Sequence, residues 1–238
     1  MKKNLKFIQF KKATLTLIAI FTILNLFSVY QLNIKAASTE SQTTKVYKPK
    51  PGRKRTQARK PGGYRGDSCN LQSQDPITLL VPQDHVPLTT QSHPTFFWNV
   101  NTISHPIRFT IYEPGQPDPV YVQNITPTTP GIVALKLPET ANGLKIGVQY
   151  RWTVSVICNQ LRPAENIYAK AWIERIASPA NLDRKLNCLS YYAQSGIWYD
   201  ALSCQTKSTK QFWSLLNQIQ LSTLATEQPQ ITFINYHI

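Results

Sequence analysis

Residues 149–158 alternate between apolar and polar side chains, and this period of two is produced by an extended strand with one buried face. The apolar positions are Tyr150, Trp152, Val154, Val156 and Cys158. The polar positions are Gln149, Arg151, Thr153 and Ser155. The apolar face needs a second layer to cover it, which favours a fold in which neighbouring strands pack against this one.

Six further segments of strand length lie between residues 67 and 178, bounded by Pro, Gly or Asn residues. Together with the segment above, the predicted strands are 77–81, 95–100, 107–112, 120–125, 131–137, 149–158 and 167–176. About seven short strands with regular turns are typical of an immunoglobulin-like or fibronectin-like antiparallel β-sandwich. The protein is therefore expected to be mainly β, with Trp98 and Trp152 as core anchors from facing sheets.

Residues 179–225 change the hydrophobic period from two to about 3.6, which predicts a helical extension packed on the sandwich. Gly196 interrupts this pattern, so we expect a helical hairpin that turns there, followed by a further helix near 209–221. Residues 226–238 are expected to form a C-terminal tail. One face of the first helix is formed by Leu182, Leu186, Leu189 and Ala193.

Residues 1–36 have the three parts of a secretory signal. Several lysines precede an uncharged apolar run at 13–30, and a cleavage point between Ala36 and Ala37 follows it. The run is long for a signal and borderline for a membrane span of about 20 residues. A cleaved signal and a retained inner-membrane anchor both remain open, and either one places the rest of the chain outside the cytoplasm.

The four cysteines are Cys69, Cys158, Cys188 and Cys204. None has the Cys-x2-Cys spacing of a zinc site, and an even number behind an export signal predicts disulfides. A turn at Gly196 would bring Cys188 and Cys204 together, whereas one continuous helix would hold them about 24 Å apart. We also expect a bridge from Cys69 to Cys158, although four cysteines allow three pairings.

Residues 37–66 are basic and contain almost no large aliphatic side chains, which predicts a disordered linker. Residues 1–66 hold 15 of the 26 Lys and Arg residues and one of the 12 acidic residues, so the rest of the chain is neutral. The linker is either a solvated spacer or, through residues 45–65, an electrostatic tether to an anionic membrane or wall polymer. A neutral domain gives no electrostatic sign of nucleic-acid binding.

The sequence shows no evident catalytic, cofactor or metal site, because none of the common nucleophile, phosphate-loop, dinucleotide or zinc-protease motifs occurs. The candidate binding residues are Trp172, Trp198 and Tyr199, which form either a ligand platform or the contact between helices and sandwich. Asp200 is the acid that we would assign to a hydrolase, and its alternative role is to hydrogen-bond the hairpin.

Several motifs occur in a fixed order: Arg65-Gly-Asp-Ser-Cys69, Pro94-Thr-Phe-Phe-Trp98, residues 130–137, Tyr150-Arg-Trp152 through Cys158, Trp172-Ile-Glu-Arg175 and Gly196-Ile-Trp-Tyr-Asp-Ala-Leu202. In this order the chain resembles, over residues 62–222, the cyanobacterial family described as domain of unknown function 928 (DUF928). The resemblance implies an exported or envelope-associated protein. It supplies no catalytic residues, since no activity is established for the family.

Two functions follow from these observations. The first is a non-catalytic binding or scaffolding module of the cell envelope, which uses no cofactor and binds an unidentified envelope protein or glycan. The alternative is a hydrolase that acts on an envelope polymer. Both place the protein in the periplasm or outside the cell, anchored to the inner membrane if residues 13–30 are retained.

Overall fold

The computed structural model of the protein describes residues 47–51, 55–60, 69, 75–101, 105–179, 188–204 and 210–234. All of them belong to one compact unit, Lys45–Ile238. The apolar run at 13–30 and the cleavage point at Ala36 and Ala37 lie outside the described residues. Within those residues no helix is both long enough and apolar enough to span a bilayer.

The described residues form two β-sheets. The four-stranded sheet contains, in spatial order, Ile77–Leu79 (β1), Thr95–Val100 (β3), Gly131–Lys136 (β6) and Ile231–Ile234 (β9). The five-stranded sheet contains, in spatial order, Leu88–Thr89 (β2), Ile167–Arg175 (β8), Gln149–Val156 (β7), Ile107–Tyr112 (β4) and Tyr121–Ile125 (β5). The predicted mainly-β sandwich is therefore confirmed. Each of the seven predicted strands is present, with ends that differ by at most two residues.

Two strands were not predicted, and both lie at sheet edges and run parallel to their neighbours. β2 has two residues, which is too short to show a period. β9 falls within residues 226–238, where we expected a tail, and it pairs with β6 from Ile231 to Ile234. The residue before β9 lies very close to the start of β6: a Cβ added to Gly131 would lie 2.6 Å from the carbonyl oxygen of Gln230.

An aromatic cluster fills the space between the two sheets. Phe96 and Trp98 of β3 contact Phe109 of β4, with ring centroids 4.9 and 5.7 Å apart, and Phe96 lies 5.1 Å from Trp152 of β7. All four side chains are fully buried. Trp98 and Trp152 therefore anchor the core from opposite sheets as predicted, and each ring pair adds about 0.5–1.5 kcal/mol beyond its buried area.

In the described residues four α-helices lie between β8 and β9: Cys188–Gln194 (α1), Trp198–Ser203 (α2), Lys210–Gln218 (α3) and Ser222–Glu227 (α4). α1 and α2 form the predicted hairpin, in which Gly196 adopts a φ of +71° that favours glycine. α3 covers the outer side of β3, where Phe97 contacts Phe212 at 6.2 Å. β3 is thus buried on both faces. The outer face of the five-stranded sheet is left partly exposed.

Two disulfides join the expected pairs. Cys69 bonds to Cys158 and ties the chain entry to the end of β7, and Cys188 bonds to Cys204 across the helical hairpin. Their closed loops differ in length, with sequence separations of 89 and 16 residues. Disulfides persist in oxidising compartments, so the pairing suggests that the folded protein resides in one.

The prediction that residues 37–66 form a disordered linker is wrong for residues 47–51 and 55–60, which contact the sandwich and the helices and which we call the docked segment. The carbonyl of Ala58 accepts a hydrogen bond from the backbone of Lys170 in β8 at 3.0 Å. The carbonyl of Arg59 accepts one from Leu79 in β1 at 2.8 Å. Because β8 and β1 belong to different sheets, this segment connects the two sheets at one edge.

Arg59 explains why a basic segment can pack in this way. Its guanidinium group, on a residue only 5% exposed, donates hydrogen bonds to the carbonyls of Ile219 at 2.6 Å and Gln220 at 3.1 Å. These carbonyls lie just beyond α3, where a cation also interacts favourably with the helix dipole. The high content of basic residues predicted disorder. Composition alone cannot show that one of these residues, Arg59, hydrogen-bonds to backbone carbonyls elsewhere in the fold.

We expect Arg59→Met to lower the free energy of unfolding by about 1.5–3 kcal/mol, since it removes charge-assisted hydrogen bonds to buried carbonyls. Lys60→Met is the matched control, because it also removes one positive charge and Lys60 is exposed. Its effect on the free energy of unfolding should stay within about 0.5 kcal/mol. Urea unfolding followed by circular dichroism measures both. Equal stability of the two variants would show that the Arg59 contacts contribute nothing.

Candidate functional site

The outer face of the five-stranded sheet collects cationic and aromatic side chains. Strand alternation directs the apolar residues of β4, β7 and β8 into the core, so the intervening residues point outward. We call the following set the basic aromatic face: Arg108 and Tyr112 of β4, Arg151 of β7, Tyr168, Lys170 and Trp172 of β8, and Arg55 of the docked segment. Its four cations are exposed, and Tyr168 is 52% exposed.

The strand register arranges these side chains in rows across the sheet. Tyr112 pairs with Arg151, which pairs in turn with Trp172. Neighbouring strands are about 4.8 Å apart, so this ring–cation–ring row spans about 10 Å. Along β8, Tyr168, Lys170 and Trp172 repeat the same order over about 13 Å. Rings and cations therefore alternate in both directions.

Cation–π contacts fix several of these side chains relative to one another. The guanidinium carbon of Arg55 lies 4.1 Å from the ring centroid of Trp172. The corresponding distance from Arg151 to Tyr112 is 5.8 Å, and the Lys170 ammonium lies 5.9 Å from the Tyr168 ring. Such contacts contribute about 0.5–1 kcal/mol at exposed sites. They position Arg55, Arg151 and Lys170 on the face, and all three residues remain exposed.

The described cations of this face outnumber its carboxylates. Glu174 is the acid that alternation places on the outer side of β8; it is 8% exposed and accepts a hydrogen bond from Nε2 of Gln149 at 3.1 Å. Four other described acids form ion pairs outside this set: Asp75 with Lys60, Glu113 with Lys145, Glu139 with Lys136, and Glu165 with Arg162. A domain that is neutral in sum thus has one positive face, because the pairing of charges is uneven in space.

Trp172 was one of the three candidate binding aromatics, and the structure places it on this face. It is half-buried, since Arg55 covers part of its ring and its backbone nitrogen donates to Oε1 of Gln57 at 2.7 Å. The docked segment therefore builds this end of the face. Sequence reasoning missed Arg55, because nothing in a basic, Pro-rich stretch showed where it would dock.

Trp198 and Tyr199 do not form a ligand platform, and that interpretation is wrong. They are 0% and 1% exposed. The indole nitrogen of Trp198 donates to the carbonyl of Leu80 at 2.9 Å, and the hydroxyl of Tyr199 accepts from the Trp152 indole at 2.8 Å. Both residues join α2 to the sandwich, which is the alternative that the sequence left open.

Asp200 likewise has a structural role. It is 4% exposed, and its carboxylate accepts hydrogen bonds from the hydroxyl of Thr89 at 2.6 Å and from the backbone nitrogen and hydroxyl of Thr90. It thereby fixes α2 to β2 at the sheet edge. A carboxylate in this position is closed to a polymer substrate, which removes the residue on which a hydrolase assignment depended.

No group of three or more His, Cys, Asp or Glu side chains in the described residues is arranged to hold a metal ion. Glu113, which follows β4, has a largely buried side chain. Its carboxylate binds the Lys145 ammonium at 3.0 Å and accepts from the Tyr150 hydroxyl at 3.4 Å, and burial is the main cause that raises the pKa of Tyr150. This trio closes the end of the sandwich where β7 begins.

Comparison with known proteins identifies one matching family model. The family model described as Domain of Unknown Function (DUF928) matches residues 60–229. No curated protein shows significant similarity to the chain. A solved DUF3244-family protein of Bacteroides vulgatus, which has an immunoglobulin-like β-sandwich fold, is 11% identical. The alignment covers 46% of this chain and 90% of that one with a TM-score of 0.27, too low to add to the topology above.

Asp200 gives a pH test of its structural role. Burial raises the pKa of this carboxyl, and hydrogen bonds from Thr89 and Thr90 offset part of the rise. The unfolded carboxyl ionises near its ordinary value of about 3.9. Because the folded carboxyl keeps its proton to a higher pH than the unfolded one, its contribution to stability is fully present below that value. The contribution is lost as the pH rises through the raised pKa.

We therefore expect the native protein to gain stability relative to Asp200→Asn as the pH falls from about 7 towards 4, since asparagine does not titrate. Urea unfolding of both proteins across this range measures the difference. The exposed Asp118→Asn variant serves as the control and should show no such trend. A difference that stays constant with pH would contradict the buried environment of Asp200.

Proposed function

The chain belongs to the DUF928 family of unknown function, and on that premise we propose that it is an exported, non-catalytic binding module whose basic aromatic face holds an anionic polysaccharide of the cell envelope. Two disulfides support an oxidising location. The sequence adds a signal or anchor at residues 1–36, which supports export to the periplasm or cell exterior.

The observation that carries this proposal is the alternation of rings and exposed cations on an open sheet. Sugar rings present flat patches of C–H groups that pack on aromatic faces, and uronate or other acidic groups pair with Arg and Lys. A flat face suits an extended chain, whereas a small free ligand would need a concave pocket. The ring–cation–ring order therefore fits a polymer that repeats both sugar rings and negative charges.

The docked segment extends the same surface. Arg55 belongs to the stretch 45–65, for which the sequence left a spacer and an electrostatic tether both open, and it lies over Trp172 on the basic aromatic face. In this proposal the basic stretch and the sandwich contribute to one cationic surface. This continuity favours attachment to an envelope polymer over a passive spacer.

Two other anionic partners share part of this chemistry. Single-stranded nucleic acid also stacks on aromatic rings beside cations, but the disulfides and export signal suggest a compartment where envelope glycans are the abundant polyanions. Anionic lipid attracts basic patches, yet interfacial binding usually adds an apolar face that enters the headgroup region. The binding experiment below separates these partners.

The test measures binding of the mature protein to alginate, a uronate polymer, with neutral dextran as the uncharged comparison. Changing Arg108, Arg151 and Lys170 together to Gln should weaken alginate binding about ten- to hundredfold, because each exposed pair contributes about 0.5–1 kcal/mol. Salt should weaken binding of the native protein more than that of the variant. Isothermal titration calorimetry gives the affinities.

The matched control changes Lys136, Lys145 and Arg162 to Gln, which removes the same charge from cations that are paired elsewhere. Its alginate affinity should stay within about twofold of the native value. Equal losses in both triple variants would show that net charge, and not this face, drives binding. Equal or tighter binding of single-stranded DNA or of anionic vesicles would overturn the choice of a polysaccharide.

A further inference from the structure

A second concave site lies away from the basic aromatic face, between the docked segment, the β1–β2 loop and the end of α3. Its volume is about 420 Å³, within the range of about 300–1,000 Å³ that is typical of small-ligand pockets. Most of the residues that line it have polar side chains: Tyr47, Gln83, Asp84, His85, Gln218 and Gln220. We call this site the amide cleft.

A hydrogen-bonded chain orders one wall of the amide cleft. The Tyr47 hydroxyl lies 2.7 Å from Nε2 of His85, and Nδ1 of His85 lies 2.7 Å from Oδ1 of Asp84. The Asp84 carboxylate only accepts, so Nδ1 of His85 is the donor in that contact. Burial, with a smaller contribution from the Asp84 charge, raises the pKa of Tyr47, so its hydroxyl stays protonated beside Nε2 of His85.

Neighbouring contacts keep this wall in place. The carbonyl of His85 accepts from Nε2 of Gln57 at 2.9 Å, and the Tyr47 ring packs edge-on against Trp198 with centroids 4.9 Å apart. The backbone nitrogen of Tyr47 donates to Oε1 of Gln218 at 3.0 Å. The wall is therefore ordered before any ligand arrives, which lowers the entropy cost of binding.

Most of the exposed polar side chains in the amide cleft can both donate and accept hydrogen bonds. The Asp84 side chain is 83% exposed, and Gln83, Gln218 and Gln220 are exposed residues. Each carboxamide both donates and accepts hydrogen bonds, and the carboxylate accepts. Sugar hydroxyls also donate and accept, so they can satisfy both kinds of group, whereas an ammonium group donates only.

Charge narrows the ligand class further. Among the described residues that line the cleft, Asp84 carries a carboxylate and none is Lys or Arg. Against this described lining an anionic sugar would meet a negative charge without a compensating cation, which disfavours it. The two prolines that line the cleft, Pro49 and Pro82, add apolar surface against which C–H groups of a sugar ring can pack.

We infer that the amide cleft binds a neutral sugar unit through hydroxyl hydrogen bonds to Asp84 and to the surrounding glutamine side chains. This site is separate from the basic aromatic face and does not depend on the polysaccharide that the face holds. It would let the protein recognise a neutral residue of a glycan, or a free sugar, in addition to a polyanion.

The test records side-chain amide signals of the mature protein by two-dimensional 1H–15N NMR during titration. The probes are the methyl glycosides of glucose, galactose, mannose and N-acetylglucosamine, with methyl glucuronoside as the anionic counterpart of glucose and spermidine as a cation. At least one neutral sugar should shift the amide signals of Gln83, Gln218 or Gln220 in a saturable way. The glucuronoside should bind at least about tenfold more weakly than methyl glucoside.

The variant pair is Gln83→Ala with Asp84→Asn, both at exposed positions, so the fold should survive. We expect this double variant to weaken binding of the responding sugar about tenfold or more, because two hydrogen-bonding groups are lost or altered. The matched control changes Gln116 to Ala and Asp118 to Asn, which are exposed in the β4–β5 turn, and it should bind like the native protein.

Three results would overturn the inference: no neutral sugar shifts these amides, the glucuronoside or spermidine binds more tightly than every neutral sugar, or the control pair loses affinity as much as the cleft pair. Alginate binding serves as the independent readout. A cleft variant that loses sugar binding and keeps alginate binding would show that the two sites act separately.

Discussion

The contact on which the structure depends most is the insertion of Tyr199 into the aromatic core. Its ring lies 5.7 Å from Phe96 of one sheet and 6.5 Å from Trp152 of the other, and its hydroxyl accepts from the Trp152 indole. Burying a tyrosine is favourable when its hydroxyl finds a partner. Both sheets and the helical hairpin therefore share one core, and the adjacent Asp200 fixes the same helix to the sheet edge.

Local patterns predicted the strands and the hairpin well, because a period of two and a glycine between two helical patterns depend on nearby residues. They could not predict strand order, so the edge strands β2 and β9 were missed and their parallel pairing was unexpected. The docked segment was missed for a related reason. Its stability comes from Arg59 and carbonyls some 160 residues away in sequence, and no window of composition contains both partners.

The candidate site shows the same limit. Alternation placed Arg151 and Trp172 on outward faces, and the structure agrees. It could not show that the strands carrying them are neighbours, and only that pairing turns scattered residues into a row. The role of Trp198 and Tyr199 stayed undecided, because an aromatic-rich helix has the same sequence pattern whether its rings contact a ligand or a core. The deciding information was burial, which is a property of the assembled fold.

The two ends of the folded unit extend past the family match at residues 60–229. Residues 57–58 lie along the edge of β8, and β9 lies along the edge of β6. A fragment cut at the family boundaries would lose both, leaving two rows of unpaired backbone groups on opposite sheets. Unprotected strand edges invite pairing between molecules, so such a fragment would tend to self-associate, and its aggregation would reflect the choice of boundaries and not an assembly state of the protein.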